Sequence, residues 1–271
     1  MATVYIKPGT GTGTGTASDP YFYSQLSTAE TAATNSQTEA GTILFTDGTY
    51  PIIATTDWHE AGVTYKALNR HKAIVGESSI GSTGMHLFRL SNSGLSNVTL
   101  EGFILRNLKV YYRGNPTTVK GNIFEWTEPK DFATNGLFWI GGSSDQINFY
   151  DNSFKANQGG RTSENIGRNV GSNVQFERNS VYFEIDSATT LNTSDFLDIG
   201  SCKNNIFVGV GGTFSNTFTA ISTNCCFHNF GSSNSSGGTN NVFADPQFID
   251  VADLDFRLRP TSPCIGAGTA S

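Results

Sequence analysis

The side chains best placed by type and spacing to do chemistry are acidic. In VYFEIDS, Phe183 and Ile185 alternate with Glu184 and Asp186. On a strand the two carboxylates would share one face, about 7 Å apart. Asp195 and Asp198 follow shortly after. Carboxylates roughly 5 to 9 Å apart are what glycosidic hydrolysis needs, one as acid and the other as base or nucleophile. The same four residues also fit a solvated strand face beside a loop, which demands no catalysis. Calcium-assisted lyase chemistry would need converging oxygen ligands and a base. Arg161, Arg168 and Arg178 could supply the base, but no compact acidic cluster accompanies them.

Imidazole chemistry has less to work with. His59, His71, His86 and His228 are scattered and unpaired. Asp57-Trp58-His59-Glu60 combines acid, aromatic and imidazole, and is expected to act as a surface contact rather than a catalytic group. Trp126 and Trp139 flank the segment Glu125 to Gly136. They could pack that loop, stack on sugar rings or meet a neighbouring subunit, since Trp is favoured in binding hot spots. Trp58, His59, Trp126, Trp139, Arg161 and Arg168 are therefore the candidate binding or interface residues. Cys202, Cys225, Cys226 and Cys264 form no C-x-x-C pair, which argues against zinc. They are expected to be buried free thiols, because a bridge between the adjacent Cys225 and Cys226 would be strained. No metal and no cofactor is implied.

The elements that must position these groups are short and β-like. Gly numbers 30 and Phe 20, and Ser, Thr and Asn fill much of the remainder, a profile that favours strands and tight turns over helices. So many aromatic residues require a core, which excludes disorder. The net charge of −6 comes without a basic tract, which speaks against a nucleic-acid partner. No apolar run reaches the length of a membrane span, and the N-terminus carries no signal-peptide pattern.

One phrase recurs: KGNIFEW, YDNSFKA, ERNSVYF and KNNIFVG place Asn122, Asn152, Asn179 and Asn205 at intervals of 30, 27 and 26 residues. Gly102 is expected to occupy the Asn position in an earlier unit, and Cys225 in a later one. Before each Asn, apolar residues alternate: Ile147 and Phe149, Val174 and Phe176, Leu197 and Ile199. Such spacing and alternation describe a solenoid whose rungs bury one another. The Asn residues fit its corners, where they tolerate a left-handed bend and hydrogen-bond along a column. A helix is expected from about Tyr23 to Asn35.

The C-terminal phrases NNVFADPQF, DFRL and SPCIGAG, containing Asn241, Asp245, Pro246 and Gly266, resemble the last rungs of right-handed parallel β-helix proteins. The opening VYIKPG and GTILFTDGTY resemble the start of the same superfamily, which includes pectate-lyase-like enzymes and phage tailspikes. The resemblance implies an all-β fold: a single-stranded right-handed parallel β-helix with a short N-terminal capping helix. One domain would span 1–271, with a strand and helix cap over 1–50, coils over 51–240, and final rungs and a cap over 241–271. Asp245 before Pro246 is expected at a corner, and Asp255 to Leu258 as a final strand. The N-T-D, paired-Asp, G-H-G and R-I-K phrases of the polygalacturonase type are missing.

The expected function is that of a non-enzymatic phage virion protein: a capsid decoration or cement protein, or a short tailspike-like component. The tailspike analogy implies a homotrimer that contacts other virion proteins at the particle surface, extracellular after lysis. The alternatives are a polysaccharide hydrolase or lyase, and a module that binds a host surface glycan without turnover.

Overall fold

The computed structural model describes residues 2–34, 41–52, 56–58, 61–76, 86–90, 97–112, 116–127, 138–140, 146–158, 167–168, 173–192, 201–215, 222–230 and 238–268. Alternation of apolar and polar residues makes each strand half-buried, and parallel stacking lets successive strands cover one another. The result is a parallel β-helix. Sheet A runs, in spatial order, Tyr21–Phe22, Thr3–Lys7, Thr42–Phe45, Thr64–Ala67, Val98–Glu101, Thr117–Lys120, Ile147–Tyr150, Val174–Glu177, Ser201–Lys203 and Ser222–Thr223. Sheet B runs from Gly48–Tyr50 through Ala73–Gly76, Ile104–Arg106, Ile123–Trp126, Ser153–Gln158, Ser180–Asn192, Ile206–Ser215 and Cys226–His228 to Val242–Phe243. Sheet C contains Thr56–Trp58, His86–Leu90, Leu108–Tyr112, Phe138–Ile140 and Gly167–Arg168. All pairings within these three sheets are parallel.

The core is a column of stacked rungs. In sheet A, Leu100, Val119, Phe149 and Phe176 fall in register and are buried. In sheet B, Phe124 and Phe154 stack at 4.7 Å, and Phe207 and Phe227 at 5.2 Å. Each buried side chain of this size is worth about 1.5–3 kcal/mol relative to exposure. Leu197 and Ile199, expected on the inward face, lie outside the described residues.

The corner between sheets A and B carries the Asn column. The oxygen Oδ1 of Asn152 accepts the backbone N–H of Asn122 at 3.0 Å and its side-chain amide at 3.1 Å. Asn179 does the same for Asn152, and Asn205 for Asn179. Each side-chain amide also donates to a sheet A carbonyl of the preceding coil: Leu100, Val119, Phe149 and Phe176, at 2.7–3.0 Å. The column begins where the Phe103 N–H donates to Asn122 Oδ1. It passes through Cys225, whose N–H donates to Asn241 Oδ1 at 2.9 Å.

Two details correct the sequence reading. The left-handed residue is the one before the column residue: Gly121, Asp151, Arg178, Asn204, Asn224 and Asn240 all have φ between 54° and 63°. The side chains of Asp151 and Arg178 point outward, while the Asn that follows each turns in. The earlier unit is shifted by one residue as well. Gly102, with φ of 83°, takes the left-handed position, and Phe103 holds the column position.

The two ends differ. Residues Tyr23–Gln25 form a 3₁₀ turn and Leu26–Ala33 an α-helix. Helix residues Ala29, Glu30 and Ala33 are buried, and Tyr65 Oη donates to Glu30 Oε1 at 2.6 Å. Coils begin within this region, since Thr3–Lys7 pairs directly with Thr42–Phe45. At the other end, Val242–Phe243 is the last strand in sheet B. Asp245 Oδ1 then accepts the Gln247 N–H across Pro246, and the chain leaves the coil. Asp255–Leu258 is the final strand, as expected, but it pairs antiparallel with Phe248–Asp250 and adds no further coil. This hairpin folds back on the outer face of sheet B, where Lys155 Nζ donates to Ala252 O at 3.2 Å. Cys264 is joined to Cys226 by a disulfide, which replaces two of the four expected free thiols; Cys202 and Cys225 remain buried and free.

Replacing Asn152 by Ala strands the N–H of Asn122 and the Val119 carbonyl in the core, so Asn152→Ala should cost about 2–4 kcal/mol in denaturant unfolding. Asp151→Asn, one residue away and outside, should cost well under about 1 kcal/mol. Cys264→Ser should leave the coils folded while raising hydrogen exchange across 245–268.

Candidate functional site

A groove lined by polar groups lies where the sheet A–sheet B corner meets the C-terminal hairpin. It encloses about 480 Å³, and its walls include Arg70, His71, Asp151, Arg178, Asp255 and Arg257. A second depression of about 360 Å³ continues from it along the corner, past Lys66, Glu101, Lys120 and Gly121, and shares Arg70 and Asp151 with the first. Corner geometry explains the location. Outward-pointing residues of successive coils stack in one row, so residues distant in sequence become neighbours about 4.8 Å apart.

Ion pairs occupy most of this row. Glu101 accepts from Lys66 at 2.8 Å and from Lys120 at 3.1 Å. Arg178 grips Asp151 with two bonds, at 2.8 and 3.2 Å, and lies 5.4 Å from the Tyr150 ring centroid. Arg257 grips Asp255 through two bonds, at 2.8 and 2.6 Å. Burial alone would raise the Glu101 pKa, but the two lysines hold it below the ordinary carboxylate value. Hydrogen bonding from Arg257 brings Asp255 down to about 2. Both shifts favour the carboxylate, whereas a general acid at neutral pH needs a shift in the opposite direction.

His71 adopts a left-handed conformation with φ of 61°. Its Nε2 lies 2.8 Å from the Gly121 carbonyl and 3.4 Å from Arg70 Nε. The carbonyl only accepts, so Nε2 carries the hydrogen and cannot also accept from Arg70. Burial lowers the His71 pKa, only partly offset by the Gly121 carbonyl.

The residues singled out in the sequence scatter over the fold. Glu184 is exposed on the outer face of sheet B, as the alternation requires, with Phe183 and Ile185 buried. Its cross-strand partners are Asn157 and Val210, neither of them acidic. Asp186 belongs to the strand Ser180–Asn192, whose pairing turns irregular between Ile185 and Thr190. Asp195, Asp198, His59 and Arg161 lie outside the described residues. Trp139 and Arg168 are neighbours in sheet C through a direct register pair.

Two aromatic residues expected at a binding surface are in the core instead. Trp58 is wholly buried, stacked between Phe45 at 4.7 Å and Tyr65 at 5.1 Å. Trp126 is buried, and its indole N–H donates to Leu108 O at 2.9 Å. Trp126 is part of the strand Ile123–Trp126, which continues two residues into the segment expected as a loop from Glu125. Among the described residues, no three His, Cys, Asp or Glu side chains converge on one point. The row His71, Asp151 and Arg178 escaped the sequence reading. For Asp151 and Arg178 the signal was the residue preceding each column position, whereas His71 stands one residue earlier in its coil, since Ile104 pairs with Ile74.

The pH dependence follows from these shifts. A histidine with a lowered folded pKa contributes stability that is present above its ordinary 6.5 and lost as pH falls below it. Glu101 acts likewise below its ordinary 4.5. Unfolding midpoints should therefore fall between pH 7.5 and pH 5.5 in the wild type. That step should disappear in His71→Asn, which keeps a residue tolerant of the left-handed corner.

Comparison of the chain with known protein families, with curated proteins and with solved structures finds no match.

Proposed function

We propose that the protein is a non-enzymatic structural component of a phage virion, a capsid decoration or cement protein or a short tailspike-like element. In this reading it sits on the particle surface as a homotrimer and acts through contacts with other virion proteins. The observation that carries the reading is the state of the groove: Glu101, Asp151 and Asp255 are each held by lysine or arginine. Such pairs fix a surface and do not leave an acid and a base poised across a bond. The amide column from Asn122 to Asn205 adds stiffness along the axis, as suits a scaffold. An open C-terminal end offers a contact surface: Phe243 stacks 5.8 Å from Phe227 yet is 56% exposed. Open solenoid ends require a cover.

A second reading, a glycan-binding module, draws on the groove itself. The hydrolase or lyase alternative draws, among the described residues, on Glu184 and Asp186.

Mass spectrometry of purified particles should find the chain at a fixed copy number, and Phe243→Glu should abolish its incorporation while leaving the isolated chain folded. Incubation with bacterial capsular polysaccharide should release no oligosaccharide. Depolymerisation that vanishes in Glu184→Gln or Asp186→Asn would instead establish the enzyme.

A further inference from the structure

Along the outward row of the corner, the left-handed conformation is held by Asp151, Arg178, Asn204, Asn224 and Asn240 as well as by Gly102 and Gly121. Glycine is therefore not needed for the backbone alone. What glycine does at two successive coils is remove the side chain, leaving a notch of two strand spacings, about 10 Å along the axis, across which the Arg70 side chain lies. Arg70 lies in this notch: a Cβ on Gly121 would stand 3.4 Å from its Nη2.

Arg70 differs from the other guanidiniums of the groove. Arg178 and Arg257 are clamped to Asp151 and Asp255. Among the described residues, the one polar atom within hydrogen-bond distance of Arg70 is His71 Nε2, at 3.4 Å. That nitrogen already carries a hydrogen, donated to the Gly121 carbonyl. Arg70 Nε–H thus faces another donor. Lys66 and Lys120 flank the notch but are engaged with Glu101. An exposed guanidinium with its fork unfilled, lying over a floor without side chains, matches the planar or tetrahedral oxygens of an anion.

We infer that the notch formed by Gly102 and Gly121 is a binding site for an oxyanion group, carboxylate, sulfate or phosphate, held by Arg70. This goes beyond the structural role proposed above and is independent of it, since a virion scaffold with or without such a site remains a scaffold. The net charge of −6 disfavours general attraction of anions, so binding here must be local. The second depression, about 360 Å³, has room for the group to be carried on a larger ligand.

The test is a side-chain NMR titration following the Nε–Hε signal of Arg70 and the amide of Gly121, at constant ionic strength in chloride. Acetate, inorganic phosphate and sulfate are the probes, and glucose is the uncharged control. At least one oxyanion should give a saturable shift that glucose does not. Acetate alone would mark a carboxylate-bearing ligand; phosphate or sulfate alone would mark a tetrahedral one. Arg70→Gln and Gly121→Asn should each weaken that binding by about tenfold or more, as loss of a charge-assisted contact implies. Asn tolerates the left-handed corner, so Gly121→Asn fills the notch with unchanged unfolding. No saturable shift with any probe, or equal affinity in the folded variants, would overturn the site.

Discussion

The hydrogen bond from one coil's backbone N–H to the next coil's Asn Oδ1 is the constraint on which this structure depends. A tight corner turns two backbone groups away from the sheet ladders, and buried polar groups must be paired. Asn meets this need because one short side chain offers both an acceptor and a donor. Asn122, Asn152, Asn179 and Asn205 each serve the coil before them and lean on the next. The column locks the register of sheets A and B together, since a slip of one residue would turn every Asn outward. Cys225 marks where the pattern is interrupted. Its sulfur stands 3.5 Å from the Asn205 N–H, a weaker acceptor than an amide oxygen.

The surface groove follows from the same corner. Since the column residue turns in, the residue before it must turn out in a left-handed conformation. Stacking these outward residues brings together Gly121, Asp151 and Arg178, and the His71 ring reaches the same row at the Gly121 carbonyl. The C-terminal hairpin supplies the opposite wall with Asp255 and Arg257. A strain-tolerant corner and a returning terminus thus produce a polar groove without any dedicated domain.

The coil was legible in the sequence because it is local and repeated: the Asn intervals and the alternation before each Asn survive without any knowledge of partners. Contacts that link distant segments were less legible. Gly102 looked like the column residue because glycine often replaces Asn at corners, yet the register of Ile104 with Ile123 gives that place to Phe103. Trp58 and Trp126 looked like surface aromatics because their neighbours are polar, whereas strand alternation turns both rings inward. The sequence spacing between Cys226 and Cys264 carried no sign that the C-terminal hairpin doubles back on sheet B. The groove was hidden for the same reason: its members converge across coils and from the hairpin.

Amide hydrogen exchange of the native protein tests the column most directly. If the Asn ladder holds the coils together, the backbone amides of Asn122, Asn152 and Asn179 exchange only through global unfolding, with protection equal to the slowest core strands. Exchange of these amides at the rate of solvent-exposed amides that donate no hydrogen bond would contradict the account.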